Sequence, residues 1–280
     1  YVPAPKTLYR NCFKQPPAHR LVYDPATGKA TDPEAYWSVP VPETSRDMSA
    51  DHSAEELRGL SDESLRDQMI SDVPLGFFLS GGVDSSTIVA SASGLGADVS
   101  TFSIGFDSDE KSETPYAREV ANLFGTKHYE RMLSQSAAGN LLPNLKKWFD
   151  EPFADESALP TYLVSKVARE NVTVVLTGDG GDEVFGGYRT YPRFERYERL
   201  PSWPAAMDRA VHRIRKPFSR RSAVTRMAKV LEIAFAHGPA LWAKIMHGMP
   251  EAAKAEYRDR FAIPDDYDDW WHYREHWRDD

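Results

Sequence analysis

Leu75-Gly76-Phe77-Phe78-Leu79-Ser80-Gly81-Gly82-Val83-Asp84-Ser85-Ser86 is the stretch that decides the fold. Leu75 to Leu79 is a short apolar run without polar alternation, the pattern of a strand buried on both faces of a parallel sheet. Glycines end the run in a tight turn, and Asp84 to Ser93 reads as the helix that follows. A ligand loop between strand and helix sits where open α/β sheets bind their ligands. Two glycines let the backbone approach an anion closely, and Ser80, Ser85 and Ser86 add small hydroxyl donors. The helix behind them aims its positive end at phosphates. Asp84 would repel phosphates unless it holds Mg²⁺ bridging their oxygens. The loop lacks the Gly-Lys-Ser/Thr ending of a Walker loop. An ordinary glycine turn is the bland alternative, and five specified residues between strand and helix outweigh it.

Outward from this loop the same rhythm recurs. Upstream, Ser53 with Glu56 three residues on predicts a capped helix running to about Ile70, with Leu57, Leu60, Leu65 and Met69 on one face. Asp72-Val73-Pro74 stops it. Downstream, strands are predicted at Asp98–Ile104, Lys127–Arg131 and Val172–Leu176. Helices are predicted at Pro115–Phe124, Ser134–Phe149 and Ser157–Glu170. This alternation predicts an α/β protein with a doubly wound parallel sheet. Residues 1–49 are dotted with prolines and read as a linker or remnant of a preceding domain. Residues 50–190 form the α/β domain, and residues 191–280 lose the strand signal and read as a helical subdomain.

A second loop, Leu176-Thr177-Gly178-Asp179-Gly180-Gly181-Asp182-Glu183-Val184-Phe185-Gly186-Gly187-Tyr188, follows the fourth predicted strand. A doubly wound sheet would bring it to the same carboxyl edge as the first loop. Acids among glycines suit a metal–phosphate site, with Asp182 completing the Mg²⁺ shell that Asp84 begins. Read alone, the loop fits a calcium turn as well.

Composition narrows the class. The 280 residues carry a net charge of −8, which argues against nucleic-acid binding as the main role. Apolar runs are far too short for a membrane span, and one cysteine, Cys12, excludes an internal disulfide framework. A cytoplasmic enzyme is the expectation. Arg193, Arg196, Arg199, Arg213, Arg215, Arg220 and Arg221 read as solvated helix faces rather than a nucleic-acid patch. Asp268, His272 and His276 have helical metal-ligand spacing, but Trp270, Trp271 and Trp277 beside them favour a packed aromatic helix.

The first loop resembles the pyrophosphatase loop of enzymes that split ATP into AMP and pyrophosphate. Both loops, with Glu151-Pro152-Phe153-Ala154-Asp155-Glu156-Ser157-Ala158-Leu159-Pro160-Thr161-Tyr162 between them, resemble the synthetase domain of glutamine-dependent asparagine synthetases. Asp72-Val73-Pro74-Leu75-Gly76, Thr101 to Phe106 and the opening Tyr1 to Tyr9 share the likeness, which runs to Asp280. The resemblance implies an adenine nucleotide α-hydrolase-like fold with ATP and Mg²⁺ as cofactors. Leu79 and Ile104 would contact adenosine, and Ser80, Gly81, Gly82, Ser85 and Ser86 would cradle pyrophosphate. Asp84 and Asp182 would bind Mg²⁺, and Thr177 and Gly178 would lie against the nucleotide. Asp179 would stand near the acyl-adenylate and incoming ammonia, which makes Asp84, Asp179 and Asp182 the catalytic set.

The implied reaction is ATP-dependent amidation of aspartate through β-aspartyl-AMP. Aspartate and ammonia are then the partners, and a homodimer is the assembly allowed for. An exosortase-associated amidotransferase acting on another carboxylate is the alternative. A tRNA-thiolating enzyme would need catalytic cysteines after the first loop, and a non-catalytic relic would not keep both acidic ligands. The family takes ammonia from a domain with an N-terminal cysteine nucleophile, a role that Cys12 does not fit, and it continues into a segment bearing a pyrophosphate-stabilising lysine. The sequence therefore reads as a fragment cut at both ends, with weak or no activity in isolation.

Overall fold

Why Leu75–Phe78 is a strand is settled by what flanks it on both edges. In the computed structural model, which describes residues 2–40, 48–107, 112–134, 139–151, 153, 155, 157–199, 238, 241 and 242, four parallel strands form one sheet. They are β5 (Leu75–Phe78), β6 (Ser100–Phe106), β7 (Lys127–Leu133) and β8 (Val174–Leu176), ordered β7-β6-β5-β8. Phe77 pairs with Thr101 on one side and Leu176 on the other. The chain order reverses between β5 and β8, so the doubly wound expectation holds and the switch point lies between these two strands. The first four strands, His19–Arg20, Tyr23–Asp24, Lys29–Ala30 and Glu34–Ala35, are β1 to β4. They form two short antiparallel pairs, β1 with β4 and β2 with β3, upstream of the sheet.

Helices cover both faces. α1 (Ala50–Gln68), α2 (Val83–Gly94) and α3 (Thr114–Leu123) enclose Phe77, Leu79, Val89, Val99 and Ala117. On the other face, α5 (Ala158–Arg169) packs Val167 and Ala168 against Phe102, with Phe78, Ile104 and Tyr129 around them. Neighbouring Phe77 and Phe78 thus feed opposite layers, as the period of two in a strand requires. Burial of a ring such as Phe77 or Phe102 contributes about 1.5–3 kcal/mol.

Two helix expectations change. α1 begins earlier than Ser53, because Ser49 takes the cap and accepts from His52 N–H at 3.3 Å. Ser53 lies within the helix and donates its own N–H to the Ser49 carbonyl. The single helix expected over 134–149 is broken: residues 142–144 form a 3-10 turn containing Pro143, and α4 is only Leu145–Trp148. Proline lacks the N–H and its ring clashes with the carbonyl four residues back.

The chain divides into two compact units, Tyr1–Gly180 and Gly181–Asp280. The second contains α6 (Gly181–Phe185) and α7 (Thr190–Glu198), with Leu241 buried against Phe194 and Tyr197. The rest of the helical expectation for 191–280, including Asp268, His272 and His276, lies outside the described residues. No described helix is long and apolar enough to cross a membrane.

His128 on β7 gives the sheet a pH dependence. Its Nδ1 lies 2.9 Å from Thr101 Oγ1, which is also 2.9 Å from Thr126 Oγ1. Nε2 is buried without a hydrogen-bond partner, and Glu130, 3.8 Å away, is itself held by Arg118. Burial lowers the imidazole pKa; Glu130 opposes this and Arg118 adds to it. The folded chain therefore takes a proton less readily than the unfolded chain. Stability is full above about 6.5 and declines as pH falls from there through the depressed folded value. Melting temperatures measured between pH 7 and pH 5 are expected to fall with pH, and His128→Gln is expected to flatten that slope.

Candidate active site

The loop after β5 is stitched by its own serines. Ser80 N–H donates to Ser85 Oγ at 3.3 Å, and Gly82 N–H donates to Ser80 Oγ at 3.1 Å. The two hydroxyls are 3.1 Å apart, and Ser85 Oγ also reaches the Gly82 carbonyl at 3.3 Å. These hydroxyls fix the loop's shape and leave anion binding chiefly to the backbone. α2 starts at N-cap Gly82, which has no side chain to satisfy the helix end. Its first internal bond runs from Ser86 N–H to the Gly82 carbonyl at 3.0 Å. The N–H groups of Val83, Asp84 and Ser85 precede it, and with the helix dipole they form an anion seat.

Tertiary contacts clamp this loop. Gly81 has φ +85°, and a Cβ there would fall 2.5 Å from Ala117 N and 2.6 Å from Tyr116 Cβ. The turn is therefore pressed against the first turn of α3. Leu79, 1% exposed, donates its N–H to the Phe102 carbonyl at 3.0 Å, and Ser103 Oγ donates to the Leu79 carbonyl. That carbonyl keeps a second lone pair for a ligand.

The second loop leaves β8 directly alongside. A Cβ on Gly178 would meet Ser85 N at 2.8 Å, Asp84 C at 2.9 Å and Asp84 Cβ at 3.0 Å. Only a glycine backbone can lie so close to the opening of α2. Thr177, Gly178 and Asp179 are thus brought to the first loop, with Asp179 N–H donating to Thr177 Oγ1 at 3.3 Å. Gly180, φ +89°, ends the first unit. Asp182 opens α6 in the second unit, where its carbonyl accepts from Gly187 N–H at 3.0 Å. Beside it, Tyr188 donates its hydroxyl to Glu183 at 2.7 Å, which pushes the phenol pKa up to about 12.

Asp84 is half-buried, and its carboxylate makes no hydrogen bond or ion pair with another described residue. An uncommitted carboxylate at an anion seat is a hard oxygen ligand of the kind Mg²⁺ takes, so this residue fits the metal. Among the described residues there is no group of three metal-ligating side chains. That suits an ion bound by one or two carboxylates together with substrate phosphates. Ser86 Oγ is buried and unpartnered at the same helix end.

Beside the loop, a cleft of about 390 Å³ opens at the carboxyl ends of β5 and β6. Leu79 and Ser80 form one wall, Ile104 and Gly105 another, and α3 and α5 contribute Glu113 and Val164. Its volume lies in the range of small-molecule sites. No local pattern marks the first turn of α3 as part of the site, and at α5 the segment Glu151 to Tyr162 carries a family resemblance alone. Cys12 is exposed and unpaired.

Residues 56–277 match the asparagine synthase family. A Methanocaldococcus jannaschii protein with the provisional name asparagine synthetase (glutamine-hydrolyzing) 2 is 40% identical over 207 residues, covering 73% of this chain and 39% of its own length. Asparagine synthetase (glutamine-hydrolyzing) 1 of Bacillus subtilis is 37% identical over 205 residues, covering 72% of this chain and 32% of its own. The chain thus spans between about a third and two-fifths of these relatives. The solved NMN synthetase of Francisella tularensis overlaps 79% of this chain at 14% identity and a TM-score of 0.34.

Proposed function

This chain belongs to the asparagine synthase family, and from that premise we propose that it is the ATP-cleaving part of a glutamine-dependent asparagine synthetase. A carboxylate resists ammonia until one of its oxygens becomes a good leaving group. The β-carboxylate of aspartate attacks the α-phosphorus of ATP, and the bond from that phosphorus to the β-phosphate oxygen breaks. Pyrophosphate leaves and β-aspartyl-AMP remains. Ammonia attacks the acyl carbon, AMP departs with the bonding electron pair, and a proton is lost to give asparagine.

Residue roles follow the chemistry. Leu79 and Ile104 hold adenosine, while Gly81, Gly82 and the open N–H groups of α2 seat the departing pyrophosphate. Ser80 and Ser85 keep that seat in shape, and Ser86 supplies a further donor. Thr177 and Gly178 lie against the nucleotide. Asp179 faces the acyl group, where a carboxylate orients ammonia and accepts its proton. Asp84 would hold Mg²⁺, with Asp182 the second ligand that the sequence resemblance implies, and the ion would neutralise charge on the leaving pyrophosphate. Ammonia is supplied by a glutaminase domain, and the protein works in the cytoplasm as a homodimer.

One observation carries the reading: the Gly178 backbone packed onto Asp84 and Ser85 joins the acidic second loop to the phosphate seat. The test is incubation of the full-length protein with ATP, Mg²⁺, aspartate and an ammonium salt. AMP, pyrophosphate and asparagine in equal amounts are expected. AMP release without asparagine would move the assignment to an amidotransferase with a different carboxylate, and ADP as product would overturn it.

A further inference from the structure

We infer that Glu113 recognises the ribose of the nucleotide and makes the site selective for ATP over its deoxy forms; this rests on the adenylating role proposed above. Among the described residues, Glu113 is the one ionisable residue that lines the cleft beside the phosphate loop. Most other hydroxyls nearby are engaged, and Thr161, the exception in the lining, is neutral. Ser103 Oγ donates to the Leu79 carbonyl, Ser112 Oγ lies 2.9 Å from Thr114 Oγ1, and Ser80 Oγ is tied to Ser85 and Gly82. The Glu113 carboxylate has no partner among the described residues. The residue is the N-cap of α3 yet caps nothing with its side chain; its backbone carbonyl accepts from Tyr116 and Ala117 N–H at 3.0 and 3.1 Å.

Position and charge together select its ligand. Gly81 is packed against Tyr116 and Ala117, so Glu113 lies one turn away from the phosphate loop. An ionised carboxylate only accepts hydrogen bonds and would repel phosphate oxygens. The lining also includes the apolar Phe78, Ile104 and Val164, which suit a base. Between base and phosphates a nucleotide presents its vicinal 2′- and 3′-hydroxyls, two donors matched to two carboxylate oxygens. A hydrogen bond to a charged group corresponds to roughly tenfold or more in affinity.

The test is competition of ATP, 2′-deoxy-ATP, 3′-deoxy-ATP and ITP against a γ-phosphate-labelled fluorescent ATP, with Mg²⁺ present, on the protein and on Glu113→Ala. The protein is expected to bind ATP about tenfold more tightly than either deoxy form. In Glu113→Ala the three adenine nucleotides should converge on one affinity, ATP losing the most and each deoxy form losing only the contact of its remaining hydroxyl. Glu113→Gln should lie between Glu113→Ala and the unmodified protein. An equal loss for all nucleotides, or a change confined to ATP against ITP, would overturn the ribose assignment while leaving the adenylating role intact. Failure of the unmodified protein to bind any of them would overturn both.

Discussion

Asp84→Asn is expected to suppress pyrophosphate release on the order of 100- to 1,000-fold and to leave the melting temperature almost unchanged. The separation of the two effects comes from where the side chain sits. Its carboxylate is half-buried and bonded to no described residue, so the folded state loses no hydrogen bond when an oxygen becomes an amide. The size is nearly conserved, and the core beneath α2 consists of Val89 and Ala92 rather than Asp84. The reaction would lose the anionic ligand proposed for Mg²⁺, the ion that would offset charge on the leaving pyrophosphate. An amide is also a poorer ligand for a hard cation than a carboxylate. Adding Mg²⁺ should therefore recover part of the activity if its binding has weakened. Near-normal turnover would remove Asp84 from the proposed chemistry, and a large loss of stability would make it a structural residue.

Gly81→Ala should destabilise the protein by about 3 kcal/mol, lowering the melting temperature by roughly 6–12 °C. Two causes act together. The backbone at Gly81 has φ +85°, where an alanine is strained, and the new methyl would fall 2.5 Å from Ala117 N. That neighbour is helix backbone and cannot rotate away as a side chain would. The control is Gly96→Ala, with φ +80° and nothing within 4 Å of the added carbon. It carries backbone strain alone, on the order of 1–2 kcal/mol. Thermal unfolding of both variants separates strain from collision. If the two lose equal stability, the close approach of loop and α3 contributes nothing. Nucleotide binding should also weaken in Gly81→Ala, because any relief of the collision moves the turn that shapes the phosphate seat.

The sheet is readable where a strand is an apolar run whose neighbours break it, as in β5 and β8, while the amphipathic β7 follows only from the spacing of strands and helices. Leu75–Leu79 before Ser80-Gly81-Gly82 predicts β5 to within one residue. Where strands ended was less readable. β6 continues past Ile104 to Phe106 and β7 past Arg131 to Leu133, since each supplies the other's partners, Phe106 opposite Leu133. Such pairing is a tertiary fact with no local signal. The Ser49 cap was masked by a better-looking Ser53/Glu56 pair, and Pro143 lay within an otherwise helical pattern that overrode it.

For the site, residue chemistry marked the two loops, but not why their glycines are needed. Gly81 answers to α3 and Gly178 to the first turn of α2, contacts made across the fold by residues dozens of positions away. Glu113 escaped notice for the same reason. In sequence it is one acid among several before a helix; in the structure it is the one ionisable residue among the described residues lining the cleft.

The most direct measurement follows oxygen. With both oxygens of the aspartate β-carboxylate labelled with ¹⁸O, one label should end in the phosphate of AMP and the other stay in the amide of asparagine, leaving pyrophosphate unlabelled. Label in inorganic phosphate beside ADP, or AMP formed without label, would contradict attack of the carboxylate on the α-phosphorus.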